Sequence, residues 1–266
     1  MAEVNPTSRW QAADYSRHGR FVADHGEAVL ALLAPRPGEE ILDVGCGDGA
    51  LTLRIAAAGA DVVGIDASPQ LVAAAQAAGV AAVLGDAQHM AYDQQFDAVF
   101  SNAALHWMLA PDEVASRMLT ALRPGGRLAA EFGGFGNIAA LRTALAAVMA
   151  RHGFADTDPG QYYPTARAYR HVLAAAGFVD IHAELIPRQT QLPGSMSDWM
   201  RTFRQGFLDA GGVPVQAQAT IIDQACALLE PALHDVDSGH WYADYVRLRV
   251  TAIRPPGTPA AGHQAG

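Results

Sequence analysis

Apolar and polar residues alternate along the first 150 positions in a pattern that predicts short strands separated by helices. The apolar runs at Glu40–Val44, Asp61–Ile65 and Phe96–Phe100 have the length and composition of buried strands. Two further strands are predicted at Val80–Leu84 and 127–132. Helical spacing of apolar residues occurs at 22–34, 50–58, 69–77, 111–121 and 137–151. This alternation favours right-handed crossovers and a parallel sheet that is covered by helices on both faces.

The pattern changes in the last third of the chain. A β-rich segment at Phe178–Ile186 precedes a stretch with helical periodicity from about 196 to 232, and Trp241–Ile253 is β-rich again. A helical insertion before a final core strand explains this order. The expected organisation is an N-terminal helical cap at 1–34, a core at 35–189, a helical substrate lid at 190–238, a final core strand at 239–254 and a disordered tail at 255–266.

Composition narrows the chemistry that this chain can perform. Half of the 266 residues are apolar and 17% are charged, so one large domain can bury a sizeable core. All 18 basic residues are arginine, which excludes mechanisms that need a P-loop lysine or a Schiff-base lysine. Because 27 acidic residues give a net charge of −9, nucleic acid is disfavoured as the main partner.

Cysteine, histidine and hydropathy patterns predict no metal site and no membrane contact. Cys46 and Cys226 lie far apart, and the ten histidines form no ligand motif. No uncharged apolar run approaches the ~18 residues of a membrane span, and the N-terminus lacks a signal-peptide pattern. We therefore expect a cytoplasmic, soluble protein, and its oligomeric state stays open.

A glycine-rich loop follows the first predicted strand and precedes a helix. This segment, Asp43–Gly49 (DVGCGDG), lies where open parallel sheets bind ligands, and glycine lets the backbone approach a ligand closely. A dinucleotide-binding loop has the spacing GxGxxG, with the helix N-terminus facing a pyrophosphate. Here the spacing is GxGxG behind Asp43, whose carboxylate repels a pyrophosphate and suits a ligand with a cationic amine. Ala50 still permits a GxGxxA interpretation, so an NAD-dependent oxidoreductase remains an alternative.

Two acidic positions follow the next two predicted strands. Asp66 lies 21 residues after Gly45, where a carboxylate can accept hydrogen bonds from both ribose hydroxyls of a nucleoside cofactor. Asp86 can accept a hydrogen bond from an adenine amino group, and the amide of Ala87 can donate to a ring nitrogen. A single carboxylate at a strand end is usually a cap or a solvated turn, but three beside a glycine loop indicate a cofactor site.

These segments together resemble the class I S-adenosylmethionine (SAM)-dependent methyltransferases over roughly residues 35–150. The resemblance is carried by Asp43–Gly49, Asp66, Gly85–Ala87, Phe96–Phe100 and Arg123–Gly126. Within this class, Ser101–Trp107 (SNAALHW) is similar to the NAALQW-type segment of the trans-aconitate methyltransferase group. A lid before the final strand is a second similarity to that group.

The resemblance implies a fold and a cofactor. The fold is α/β, a three-layer Rossmann-like sheet of seven strands in the order 3-2-1-4-5-7-6, with the last strand antiparallel. The cofactor is SAM. The implied contacts are Gly45 and Gly47 to the methionine portion, Asp66 to the ribose, Asp86 and Ala87 to the adenine, and Asn102 near the sulfonium.

Candidate residues for the chemistry lie on the loop after the fourth strand. His106 replaces the glutamine of the similar segment and is predicted to be a general base or a substrate ligand, although it can also simply order the loop. Trp107 beside it is predicted to contact the substrate. Upstream, Tyr15 and His18 belong to an aromatic-rich segment that is predicted either to cover the cofactor or to pack an entry helix.

The predicted lid supplies further candidates for substrate binding. Trp199, Phe203 and Phe207 recur at a spacing of four, which places them on one helix face as core or as cleft wall. Arg204 is predicted to bind an acidic substrate, because its guanidinium matches a carboxylate. Arg201 is an alternative, and so are Arg247 and Arg249, which alternate to one face of the last strand.

The leading prediction is methyl transfer from SAM to a small molecule by in-line displacement, with O-methylation of a carboxylate favoured. N- or C-methylation of an aromatic natural product is the first alternative. Alternatives from other classes are an NAD-dependent oxidoreductase, a non-catalytic SAM-binding protein and a nucleic-acid methyltransferase.

Overall fold

The computed structural model describes residues 26–155 and 160–257. Eight strands lie in this part of the chain: β1 (Glu40–Val44), β2 (Asp61–Asp66), β3 (Ala81–Leu84), β4 (Phe96–Asn102), β5 (Leu122–Gly133), β6 (Val179–Gln191), β7 (His234–Asp235) and β8 (His240–Ile253). The main sheet has the order β3-β2-β1-β4-β5-β8-β6, and the two-residue β7 pairs with β8 beside this path. β1 to β5 are parallel, whereas β8 runs antiparallel to both β5 and β6.

The helices described in the structure are α1 (Glu27–Leu33), α2 (Ala50–Ala57), α3 (Pro69–Ala77), α4 (Pro111–Ala121), α5 (Ala139–Arg151), α6 (Ala166–Ala176), α7 (Met196–Ala210) and α8 (Val215–Leu233). A short 3-10 helix spans Leu105–Trp107. No helix of the described residues has the length and apolar character needed to cross a membrane.

Helices cover the sheet on both faces. On one face, Val29 of α1 and Ile55 of α2 pack with Ile41 and Phe100 of the central strands. On the other face, α4 and α6 pack on apolar side chains of β1, β4, β5 and β8. The three-layer Rossmann-like arrangement and the predicted strand order are therefore confirmed, with the strand predicted at 239–254 observed as β8.

Local sequence signals explain several of the element boundaries. The side chain of Ser68 accepts a hydrogen bond from the amide of Leu71, and Pro69 occupies the first turn of α3. Helix α6 begins after Thr165, which caps it, and ends at Gly177, whose φ of +108° suits glycine. Both caps are visible in the sequence, although this helix is not among the predicted ones.

Helices α7 and α8 occupy the segment between β6 and β8. They form an apolar cluster with α5 and with Tyr245 of β8, separate from the clusters that cover the sheet. The stretch predicted as helical from 196 to 232 is thus two helices that are broken around Gly212 and Pro214. Strand β6 also continues to Gln191, two residues into the segment predicted as lid. The predicted tail lies largely outside the described residues.

Candidate active site

The glycine loop lies between the carboxyl ends of β1, β2 and β4. The hydroxyl of Ser101 in β4 donates to the carbonyl of Val44 at 2.7 Å, and the amide of Gly45 donates to the carbonyl of Ile65 at 2.7 Å. Gly45 has a φ of +76°, and a Cβ there would overlap the Cβ of Ala104. Only glycine therefore allows this approach between the loop and the segment after β4.

Asp66 connects the end of β2 to the glycine loop. One carboxylate oxygen accepts a hydrogen bond from the amide of Gly47 at 3.0 Å, and the other accepts one from the amide of Ser68 at 2.8 Å. Burial raises the pKa of this carboxyl, and the backbone donors oppose that change. Asp66 lines the cleft described below, where the remaining lone pairs of its oxygens can accept from hydroxyl groups.

Asp43 lies beneath the loop. Its carboxylate accepts a hydrogen bond from the Thr52 hydroxyl at 2.6 Å, and its exposed fraction is 2%. Burial, together with the charge of Asp66, raises its pKa from 3.8 to about 7, against the effect of the Thr52 bond. Asp43 is not among the residues that line the two clefts described below, and its contact with the cofactor stays a prediction.

A smaller cleft at the ends of β2 and β3 contains Asp86 and Ala87 together with Asp66. The side chain of Asp86 accepts hydrogen bonds from the Gln88 amide at 2.9 Å and the Gln88 side chain at 3.1 Å. The same cleft includes Gly45, Ala104 and Trp107, which also line the larger cleft, so the two are continuous.

The larger cleft is lined by both polar and apolar side chains. It begins at the glycine loop and extends across the ends of β4, β5 and β8 to helix α7. The residues that matter for its chemistry are Gly45, Gly47, Asp66, Asn102, His106, Trp107, Asn137, Gln161, Tyr163, Trp199, Phe203, Arg204, Tyr245 and Arg247.

His106 is a buried, neutral side chain in this cleft. Its Nδ1 accepts a hydrogen bond from the amide of Gly133 at 3.4 Å, and its ring stacks with that of Tyr163 at a centroid distance of 5.7 Å. Burial, assisted by the charge of Arg247, lowers the pKa of His106 to about 3. Because Nδ1 is an acceptor, the proton of the neutral ring resides on Nε2.

Two arginines make the far end of the cleft positive. Arg247 of β8 is 8% exposed, and its guanidinium lies over the ring of Tyr245 at 4.5 Å. Arg204 of α7 is 3% exposed, packs on the ring of Phe207 and donates to the side chain of Gln161 at 2.9 Å. By contrast, Arg201 is exposed and donates to Asp198 at 3.2 Å.

Helix α7 is joined to the sheet at the cleft. The indole N–H of Trp199 donates to the Tyr245 hydroxyl at 2.9 Å, and the Trp199 ring contacts that of Phe203 at a centroid distance of 5.2 Å. The predicted aromatic stripe of this helix is therefore both core and cleft wall: Trp199 and Phe203 line the cleft, whereas Phe207 supports Arg204.

The structure brings most of the predicted site residues together. Those along the two continuous clefts are Gly45, Gly47, Asp66, Asp86, Ala87, Asn102, His106, Trp107, Trp199, Phe203 and Arg204. Tyr15 and His18 lie outside the described residues. Four further residues of the cleft are not predicted from the sequence, because they come from loops and strands distant along the chain and carry no local motif: Asn137, Gln161, Tyr163 and Tyr245.

The donors and acceptors at the glycine loop fit SAM better than a dinucleotide. Asp66 provides acceptors for a ribose diol, and Asp86 with the amide of Ala87 matches an adenine edge. The carboxylates at this edge favour a ligand with a sulfonium and an ammonium group over a pyrophosphate. Gly45 and Gly47 line the larger cleft, and both have the left-handed backbone conformation that favours glycine.

Comparisons with known proteins agree with this geometry. A family model described as a methyltransferase domain matches residues 42–130. An uncharacterized methyltransferase of Schizosaccharomyces pombe is 32% identical over 263 residues, covering 93% of this chain and 98% of the relative. A trans-aconitate 2-methyltransferase of Methylobacterium radiotolerans is 29% identical over 76% of this chain and 86% of the relative.

Solved structures show the same fold. Phosphoethanolamine N-methyltransferase 2 of Haemonchus contortus, in complex with S-adenosylhomocysteine (SAH), superposes with a TM-score of 0.56 at 20% identity, covering 88% of this chain and 53% of that one. The YcgJ protein of Bacillus subtilis superposes with a TM-score of 0.59 at 16% identity, over 88% of this chain and 100% of that one.

Fold, cleft and relatives together define an enzyme that transfers methyl groups. The chain belongs to the SAM-dependent methyltransferase family, and SAM is its cofactor. The alternatives of an NAD-dependent oxidoreductase and a non-catalytic SAM-binding protein are therefore set aside.

Proposed function

We propose that this methyltransferase acts on a small anionic molecule and methylates a carboxylate oxygen. The observation that carries the proposal is the pair of buried arginines, Arg204 and Arg247, at the end of the cleft opposite the glycine loop. Among the described residues, no Asp or Glu forms an ion pair with Arg247. A buried guanidinium is stabilised by an anionic partner, and a carboxylate matches its planar fork.

The distance across the sheet is long enough for two ligands side by side. Gly45 follows β1 and Arg247 lies in β8, three strand positions apart in the order β1-β4-β5-β8. At the usual strand spacing this corresponds to roughly 14 Å. The cofactor then occupies the β2 and β1 end of the cleft, and the methyl acceptor occupies the β5 and β8 end.

Three residues are proposed to place the acceptor. Arg204 and Arg247 attract and orient the anion, and His106 donates a hydrogen bond through Nε2. The low pKa of His106 and the Gly133 amide on its Nδ1 make it a weak base, so the substrate-ligand role is favoured over the general-base role. A carboxylate acceptor needs no base, because it is already ionised near neutral pH.

The protein's task in this reaction is alignment and exclusion of water. SAM supplies an activated methyl group on its sulfonium when it is bound. Asp66 and the glycine loop hold the donor, the arginines hold the acceptor, and Trp199 with Phe203 closes the apolar wall between α7 and the sheet. Fixing both partners in line lowers the entropic part of the barrier.

The names of several relatives support an acidic substrate. The Methylobacterium radiotolerans relative is a trans-aconitate 2-methyltransferase, and so is a Mycobacterium tuberculosis relative that is 38% identical over 35% of this chain and 37% of its own length. These names favour two parts of the proposal, namely that the substrate is a small molecule and that the methyl acceptor is a carboxylate.

Methyl transfer to defined carboxylates tests the proposal. The purified protein is incubated with SAM and a panel of di- and tricarboxylates that includes trans-aconitate, and methyl esters are identified by mass. We expect ester formation, with KM raised at least about tenfold in Arg247→Met and Arg204→Met, since a charge-assisted bond is lost.

Arg201→Met is the matched control for these variants. Arg201 lies on the same helix as Arg204 but is exposed and paired with Asp198, so its KM is expected to stay at the wild-type value. Ester formation with unchanged KM in the Arg247 and Arg204 variants would contradict the anion-binding role. SAH binding without ester formation from any carboxylate would contradict the substrate class.

A further inference from the structure

A buried ion cluster lies directly beside Arg247. Glu131 of β5 is 2% exposed, and its two carboxylate oxygens bind different arginines. Oε1 is 2.7 Å from Arg188 of β6, and Oε2 accepts from Arg249 of β8 at 2.8 Å. Arg188 and Arg249 do not line the larger cleft, so the proposed substrate site does not account for this cluster.

Strand register brings Glu131 within reach of Arg247 as well. Arg249 is opposite Glu131 in the β5–β8 pair, and Arg247 is opposite Gly133, two residues further along β5. Residues two apart on a strand share a face, and diagonal neighbours are close enough for long side chains to meet. Arg247 is thus the diagonal neighbour of Glu131. Burial lowers the pKa of Arg247, and the charge of Glu131 opposes that shift.

We propose that Arg188 and Arg249 are positioning residues that hold Glu131 away from Arg247 and so keep Arg247 available for the anionic substrate. This inference rests on the proposed function. A buried carboxylate oxygen without a hydrogen-bond donor costs free energy, so a neighbouring donor is expected to bind it. If one of the two arginines is removed, Arg247 is the cationic neighbour that can replace it.

The geometry also explains why the cluster contains two arginines for one glutamate. A single arginine can bind both oxygens of a carboxylate in a bidentate pair, but here each oxygen is bound by a separate guanidinium. Glu131 is therefore held from β6 and from β8 at once. Both oxygens of Glu131 are thus bound by guanidinium groups other than that of Arg247.

The experiment compares Arg249→Met with the double variant Glu131→Gln/Arg249→Met. The single variant frees one oxygen of Glu131, whereas the double variant also removes the carboxylate and restores the wild-type net charge. Two quantities are measured on the SAH-saturated protein. One is solvent exchange of the Arg247 Nε–H by NMR, assigned by its loss in Arg247→Met, and the other is the Kd of trans-aconitate by calorimetry.

In Arg249→Met we expect slower exchange of the Arg247 Nε–H and about tenfold weaker binding of trans-aconitate, because Glu131 competes for the guanidinium. Both quantities should return to about the wild-type values in the double variant, a rescue that a purely structural role of Arg249 would not produce. Arg188→Met frees the other oxygen and serves as a second variant if Arg249→Met does not fold.

Arg123→Met is the control, since it removes a partner of Asp97 in a surface ion pair at the start of β4. It should change neither quantity. Unchanged Arg247 exchange in both single variants, or a double variant as weak as the single one, would overturn the inference. If the wild type binds no carboxylate while exchange slows as expected, the substrate proposal fails and the competition between the arginines stands.

Discussion

At the scale of single residues, Gly45 shows how one position can determine whether the loop after β1 can approach the segment after β4. Its left-handed backbone and its contact with Ala104 both require the absence of a side chain. Gly38 has nearly the same φ, +77° compared with +76°, but nothing lies within 4 Å of the Cβ that would be added there. The two glycines therefore separate backbone strain from steric overlap.

We expect Gly45→Ala to weaken SAH binding by at least about tenfold, because Ala104 and the loop must move apart to admit the new Cβ. Gly38→Ala has the same backbone cost, about 1–2 kcal/mol, without the overlap. Calorimetric titration with SAH checks this difference. Equal loss of affinity in both variants would show that strain alone explains the effect.

Asp43 predicts a pH dependence of stability. Burial raises its pKa from 3.8 to about 7, so the folded state binds this proton more tightly than the unfolded state. The contribution of this raised pKa to the free energy of unfolding is fully present below pH 3.8. It is lost as the pH rises through about 7. Relative to the wild type, Asp43→Asn should therefore become increasingly more stable across this window.

Urea unfolding of the two proteins at several pH values measures the difference in the free energy of unfolding. Asparagine preserves an acceptor for the Thr52 hydroxyl, so loss of that hydrogen bond does not confuse the comparison. A difference that stays constant between pH 4 and 7 would contradict the assignment of the raised pKa to Asp43.

From the sequence, one can predict which acidic residues lie near the glycine loop, but not which contacts each of them makes. Asp66 and Asp86 follow strands at the carboxyl edge, so their placement in the cleft could be predicted from the order of the strands. Asp43 also lies near the carboxyl end of a strand, yet its carboxylate accepts a hydrogen bond from Thr52 in the first turn of the next helix. Such a contact depends on the loop conformation, which spacing alone does not define.

At the scale of elements, the contact between α7 and β8 determines how the acceptor end of the cleft is closed. The hydrogen bond from Trp199 to Tyr245 joins the two elements inside the apolar cluster that they share with α5 and α8. Helix α7 therefore moves relative to the sheet only if this bond and the ring contacts around it break.

We expect Tyr245→Phe to leave the buried indole N–H of Trp199 without its acceptor, at a cost of about 1–3 kcal/mol in the free energy of unfolding. Hydrogen exchange should increase in α7 and remain unchanged in α2, which lies at the other end of the sheet. Mass spectrometry of exchanged peptides measures both. Uniform exchange in the two helices would contradict a local role for this bond.

Elements with strong local signals were predicted well. Strand β1 was predicted at Glu40–Val44 and is observed there, because a short apolar run ends at a glycine cluster. Helix α6 was missed, although Thr165 and Gly177 cap it and Tyr169 and Leu173 are buried one turn apart. The two caps and the spacing of these buried residues are the local signals that predict this helix.

At the scale of the whole molecule, cofactor binding and stability are linked. A ligand that binds only the folded state adds about 2.7 kcal/mol to stability at a concentration of 100 times its Kd. Wild-type protein should therefore unfold at a higher temperature as SAH is added. In Asp66→Ala the shift should disappear over the same concentrations, because the proposed ribose contact is lost.

Asp48→Ala is the control for this measurement. Asp48 belongs to the same loop, and its side chain accepts only a local hydrogen bond from the Ala50 amide at 3.2 Å among the described residues. The melting temperature of the Asp48→Ala protein should still rise as SAH is added. A preserved shift in Asp66→Ala would remove Asp66 from the cofactor site.

The architecture as a whole followed from the alternation of strands and helices, whereas the cleft did not. Tyr163 and Tyr245 reach the same cavity from a loop and from the last strand, and no periodicity in the sequence relates them. Their proximity depends on β8 lying between β5 and β6, which is a property of the completed sheet.

The position of β8 has a consequence for how the chain is synthesised. While the ribosome is still translating the residues before 240, β5 and β6 each present an unpaired edge, because the strand that joins them has not emerged. The parallel half of the sheet can form earlier from contacts made within its own crossovers. Until β8 inserts between them, these two exposed strand edges can pair with the wrong segments. This step of synthesis is therefore a point where chaperones can act.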